Sequence, residues 1–321
     1  MVTREANRAV GIEEAKRRPG SLRAGPTLPS RMSSREVTFR GGPGTVAGFA
    51  VALAVWVVVF VQLEAAVADA PAWVGLATEL GKFATLGAIT LYVLRVEGVR
   101  PVELGLTRRH LTMAVTVFVG LWVALNLLGI GVAAITDHRW GLGLIRANAN
   151  PEWTPLPAPW VTTVLLNFLV VGLVEEFVVR GYFQTRVIAL LGDGTRLRTA
   201  LGIVAASVLF GALHTPGAAL SGASLGGALG SAALPALTGL LFGAFYEWTQ
   251  NVYFVAMLHG LGNTWPLVVD WSSWSGTALL AFWVCTAIVY LGATVAYRYW
   301  TGSTDGTPVV DVRRRSTRTK A

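Results

Sequence analysis

Two adjacent glutamates, Glu175 and Glu176, are followed by Arg180 inside a stretch, Phe168 to Phe183, that carries no other charge. Ionisable groups within a membrane helix cost on the order of 2.5–3.5 kcal/mol each by insertion scales, so three together call for a purpose. At helical spacing Glu176 and Arg180 share a face and can pair. Glu175 lies about 100° round the helix, outside that pair, and is free for general-base work on a water molecule. The bland alternative is a charge cluster at the cytoplasmic end of the span, with Arg180 snorkelling and both glutamates wet. Two histidines weigh against it. His214 closes the run Phe210-Gly-Ala-Leu-His214, and His259 opens His259-Gly-Leu-Gly-Asn263, where the spacing of four puts His259 and Asn263 on one face. The remaining histidines, His110 and His138, fall in loops or at span ends, where exposure accounts for them. One histidine in a bundle is usually an interhelical hydrogen-bonder. Two of them, an asparagine and a paired-glutamate motif on three helices converge on an acid–base site: a base for water and donors for an oxyanion are what peptide hydrolysis requires.

The elements that must position these groups follow from composition. The chain has 321 residues, 53% hydrophobic and only 14% charged, with a mean hydropathy of +0.56. Soluble domains are roughly 25% charged. Disordered, collagen-like and soluble enzyme classes are excluded, and an all-α, polytopic membrane helix bundle is predicted. Apolar runs near the roughly 20 residues that cross a bilayer give about eight transmembrane helices, at 46–67, 73–94, 111–135, 159–182, 199–214, 225–246, 251–269 and 277–299. An even number places both termini on one side. Arg95, Arg100, Arg108 and Arg109 then fall in one inner loop and Arg186, Arg196 and Arg198 in another. The outer loop 136–158 holds only Arg139 and Arg146, so the positive-inside pattern puts both termini in the cytoplasm. The expected organisation is a basic low-order cytoplasmic tail over 1–44, a transmembrane domain over 45–300 with its motif core at 160–265, and a basic cytoplasmic tail over 301–321.

Several chemistries are set aside by absence. The net charge of +8 resides largely in the two tails, with no aromatic-interleaved basic domain, so no nucleic-acid partner is expected. Cys285 is the sole cysteine and rules out an internal disulfide or a CxxC site. The first apolar run is too long and too late for a signal peptide and reads as an uncleaved span. There is no HExxH. Gly192-Asp193 lies in a polar loop, and Gly222-Ala-Ser224-Leu-Gly226 satisfies GxSxG without the strand-to-helix elbow that pattern needs. The spacing Gly226 to Gly230 serves close helix packing. Lys82 and Asn126 read as interhelical hydrogen-bonders or cavity-lining residues.

Taken in order, Glu175-Glu176-x-x-x-Arg180, Phe210-x-x-x-His214 and His259-x-x-x-Asn263 resemble the three motifs of the CPBP intramembrane proteases. These are the CAAX prenyl endopeptidases and bacteriocin-processing enzymes, also called the Abi family. Gly239-Leu-Leu-Phe-Gly243-Ala-Phe-Tyr246 resembles the family's helix leading to the last motif, and the likeness covers roughly 160–265. The resemblance implies an intramembrane endopeptidase that cleaves a membrane-tethered or lipidated peptide near its C-terminus, or a bacteriocin-like peptide. Glu175 would activate the water together with His214. His259 and Asn263 would polarise the scissile carbonyl and stabilise its oxyanion, and Glu176 with Arg180 would hold the geometry. The preferred version needs no cofactor. The other makes Glu175, His214 and His259 a three-ligand set for zinc or another divalent metal, with an open water position. The expected partners are the tethered substrate and the lipid bilayer. Ala-, Gly-, Val- and Arg-rich usage suggests the plasma membrane of a prokaryote. Two other classes remain open at this point: a proton-coupled transporter using the Glu/Arg/His relay, and a non-catalytic immunity or scaffold protein.

Overall fold

The computed structural model describes residues 35–136, 163–192, 195–264, 274–303 and 312–316. Helices dominate. Strand β1 (Arg35–Phe39) leads into α1 (Pro43–Ala66) and α2 (Ala72–Glu97); a 3₁₀ turn (Pro101–Leu104) precedes α3 (Arg108–Ile135). Helix α4 spans 163–191, and α5 (Arg196–Ala212) runs into the short α6 (Thr215–Leu220). Then come α7 (Leu225–Thr249), α8 (Val252–Thr264), α9 (Gly276–Ser303) and strand β2 (Val312–Ser316). Helix starts follow local chemistry: Pro43 opens α1, and Thr107, Thr195 and Ser224 cap α3, α5 and α7 by accepting from the amides of His110, Arg198 and Gly227. Ser224, the candidate of the GxSxG pattern, is thus occupied as a helix cap.

Five stretches are long and apolar enough to cross a bilayer: Pro43–Ala66, Pro101–Ile135, Arg196–Leu220, Leu225–Thr249 and Gly276–Trp300. Side chains such as Val55 and Val59 on α1, Leu127 on α3 and Leu237 on α7 stay more than half uncovered by protein. In water such faces would be liabilities; on a membrane helix they are the lipid side. The chain is an all-α bundle of an integral membrane protein.

Helix α4 is irregular. It passes from a π-helical turn (Leu166–Val171) through an α-helical turn (Gly172–Glu176) and a second π-helical stretch (Phe177–Gln184) into a final α segment (Thr185–Leu191). Such i→i+5 segments occur mostly as single-turn bulges and cluster at functional sites. The Thr185 hydroxyl donates to the Arg180 carbonyl at 3.1 Å, satisfying an acceptor at the widened turn. Helices α4 and α8 approach closely. A methyl on Gly172 would meet the Ala256 carbonyl oxygen at 2.6 Å, and one on Gly260 would meet Phe168 at 2.8 Å. Small residues at a membrane helix contact let two backbones come this near.

The ends of the described chain differ from the expected low-order tails. β1 pairs in parallel with β2, Arg35 opposite Val312 through Phe39 opposite Ser316, which brings both ends to the same side of the bundle. The segment after β1 is clasped by a buried ion pair. Arg186 Nε donates to Glu97 Oε1 at 2.8 Å, the Gly41 amide donates to Glu97 Oε2 at 2.6 Å, and Arg186 also donates to the Gly41 carbonyl. The Arg186 guanidinium lies 4.9 Å from the centre of the Phe39 ring. Arg186 is therefore not the inner-loop residue expected, because α4 continues past residue 182 and buries it completely. His110 is likewise buried rather than exposed, its Nδ1 bonded to the Gly105 carbonyl at 2.6 Å. His138, Arg139, Arg146 and Asp193 lie outside the described residues.

Candidate active site

The close approach of α4 and α8 sets the geometry. Gly172 and Glu176 are four residues apart on α4 and so face α8 together, where His259 precedes Gly260. His259 Nδ1 lies 2.8 Å from Glu176 Oε1. A carboxylate offers only acceptors, so Nδ1 carries the proton. The other ring nitrogen, Nε2, stands 3.7 Å from Glu175 Oε2, an ion-pair distance rather than a hydrogen bond. Arg180 Nε sits 3.3 Å from Glu176 Oε2, and both side chains are fully buried. The Arg180 guanidinium lies 4.9 Å from the Phe210 ring centre, a cation–π contact. Phe210 also meets His214 edge-on at 4.8 Å and His259 at 6.0 Å. One aromatic ring from α5 thus spaces the guanidinium and both imidazoles.

His214 stands at the junction of α5 and α6, on the exposed side of Phe210. Its Nδ1 is 2.7 Å from the Phe210 carbonyl oxygen, which can only accept. Nδ1 therefore holds the proton, and Nε2 presents a lone pair. Glu175 and His214 line one cavity of about 220 Å³ together with Trp56, Val57, Phe60 and Val61 of α1 and with Glu64 and Lys82. Glu175 is half-buried there, with 21% of its side chain exposed. That is the state a base needs: reachable by water and substrate, yet lodged in a largely apolar wall.

Five of the six residues singled out from the sequence come together in this way: Glu175, Glu176, Arg180 and His259 by direct pairing, and His214 across the shared cavity. Asn263 is placed differently. It is exposed on α8, one turn beyond His259, and its amide donates to the Asn167 side-chain oxygen of α4 at 3.1 Å. Asn167 was not predicted; its only signal is an amide in an apolar helix facing the HxxxN asparagine. The cavity wall from α1, with Glu64, was also missed, because α1 carries no motif; Lys82, read as an interhelical hydrogen-bonder or cavity-lining residue, is both. Among the described residues no group of three His, Cys, Asp or Glu side chains is gathered to hold a metal ion, Glu175, His214 and His259 included.

Comparison with known families bears on this geometry. Residues 157–265 match the family described as Type II CAAX prenyl endopeptidase Rce1-like. The motif core is similar to that family. The match covers about a third of the chain, contains all six candidate residues, and is consistent with the CPBP resemblance of the motifs. No curated protein and no solved structure matches the chain. The Rce1-like segment supplies α4 to α8, whereas the apolar cavity wall from α1 and Lys82 from α2 lie outside it. The likeness supports an intramembrane endopeptidase, a hydrolase acting on a membrane-anchored protein substrate in the bilayer.

Proposed function

We propose that the protein cleaves a membrane-tethered or lipidated peptide near its C-terminus by attack of a glutamate-activated water. The observation that carries this reading is the shared cavity of Glu175 and His214. A water held between the Glu175 carboxylate and the Nε2 lone pair of His214 meets two acceptors, and Glu175 takes its proton as the oxygen attacks the scissile carbonyl. The same proton then passes to the leaving amine. His259 supplies the positive side of the site. As an imidazolium it makes a cluster in which guanidinium and imidazolium cancel the two carboxylates, the arrangement a low-dielectric interior favours. In that form Nε2–H is a donor for the developing oxyanion. Glu176 and Arg180 act through His259, fixing its ring by the Nδ1–H bond. Asn263 assists the oxyanion from α8, oriented by Asn167. A bacteriocin-like peptide fits the same chemistry, as does a location in the plasma membrane of a prokaryote.

The purified protein in liposomes is expected to release C-terminal fragments from a panel of lipidated and unlipidated tethered peptides, read by mass spectrometry. A folded preparation that leaves the whole panel intact contradicts the proposal.

A further inference from the structure

The cavity wall also holds polar groups that the hydrolytic chemistry does not use. Lys82 of α2 contacts two carboxylates at once: Glu64 Oε1 of α1 at 2.6 Å and Glu79 Oε2 of its own helix at 2.6 Å. A lysine inside an apolar helix is costly and marks a functional position by default. The three groups are not equivalent. Glu64 and Lys82 line the cavity; Glu79 is not in its wall. The Glu64 side chain is 40% exposed, that of Glu79 only 19% and that of Lys82 18%. Glu79, one turn away on the same helix, therefore anchors the ammonium from behind. Glu64 meets it from the cavity side and belongs to a different helix.

An ammonium has three donors and no acceptor, on a flexible stem. Lys82 is also the lysine of a wall that Glu175 shares. A peptide cut near its C-terminus must bring its own terminal carboxylate into the site, a few residues from the scissile bond at roughly 3.3 Å per residue. Left unpaired among Trp56, Val57 and Phe60, that charge would be strongly disfavoured. Exchange with Glu64 avoids the cost, since one carboxylate replaces another on the same ammonium and the more exposed Glu64 turns outward.

We propose that Lys82 is the docking cation for the free C-terminal carboxylate of the substrate, and that Glu64 is the resting-state occupant it displaces; this rests on the endopeptidase reading above. The residue is specificity-determining: it counts the distance from the chain end to the scissile bond, with Trp56 and Phe60 taking the apolar side chains between.

The test uses two tethered peptides that differ only in ending as a free acid or as an amide, with binding measured by fluorescence anisotropy and cleavage measured separately in liposomes. Wild-type protein is expected to favour the acid by on the order of ten- to a hundredfold, as for a charge-assisted hydrogen bond, in Kd and in KM rather than kcat. Lys82→Gln brings the acid-to-amide ratio near one, whereas Lys82→Arg keeps it above one. Glu64→Gln, by removing the competitor, raises the ratio, a sign opposite to Lys82→Gln that a merely structural ion pair cannot produce. Equal treatment of acid and amide by wild type, a preference for the amide, or a preference that survives Lys82→Gln overturns the assignment. Protein that cleaves both peptides equally refutes Lys82 and leaves the protease intact; protein that discriminates in binding but cleaves neither refutes the protease alone.

Discussion

Replacing Gly172 by alanine is the sharpest perturbation of the site that touches none of its chemistry. The new methyl would stand 2.6 Å from the Ala256 carbonyl oxygen, where ordinary contact begins near 3.4 Å. The obstacle is backbone, not a side chain that can swing aside, so α4 and α8 must part by about 0.8 Å. Glu176 lies one turn from Gly172 on the same face, and its 2.8 Å contact with His259 would stretch to about 3.6 Å, beyond a hydrogen bond. His259 then loses the partner that fixes its ring. Displacements of this size cost on the order of a hundredfold in rate, while overpacking costs about 1–3 kcal/mol of stability. The assay is turnover of a tethered peptide alongside thermal unfolding in detergent. Gly87→Ala on α2 serves as control, since nothing lies within 4 Å of a methyl there, and it should leave both unchanged. Full activity in Gly172→Ala would refute the claim that helix approach sets the catalytic geometry.

Other substitutions probe different parts of the account. Arg180→Met strands the fully buried Glu176 charge and is expected to destabilise the fold by about 3–5 kcal/mol, read by thermal unfolding; Glu176→Gln added to it should recover most of that loss without restoring turnover. His214→Ala, at an exposed position, should leave the unfolding temperature unchanged while lowering kcat by about 10²–10⁴-fold, the usual worth of a proton-handling group. Chelator treatment and metal analysis of active protein should show turnover unchanged and no stoichiometric metal; loss of activity restored by zinc would reverse the assignment of Glu175 as base.

The bundle was legible because apolar runs report bilayer thickness directly, and α1, α3, α5, α7 and α9 lie where those runs place them. Glu175, Glu176 and Arg180 were legible for the complementary reason: charge in such a run is conspicuous. What escaped depends on long-range pairing or on backbone detail. The π-helical stretches of α4 have no side-chain period of their own to read. Arg186 looked like one more inner-loop arginine, since its burial depends on Glu97 from a distant helix and on the Gly41 backbone. The β1–β2 pair joins opposite ends of the chain, and nothing local announces it. His110 seemed explained by its place at a span end, and only the 3₁₀ turn ahead of α3 brings the Gly105 carbonyl to its ring. The Asn263–Asn167 bond required knowing that α4 and α8 are neighbours.

Most directly at stake is the carboxylate of Glu175. Wild-type protein and Glu175→Gln, purified alike and matched in unfolding temperature, should be given the same tethered peptide and the fragments weighed by mass spectrometry. A base role predicts fragments from the wild type and none from the glutamine variant. Cleavage by Glu175→Gln at the wild-type rate would show that another group activates the water.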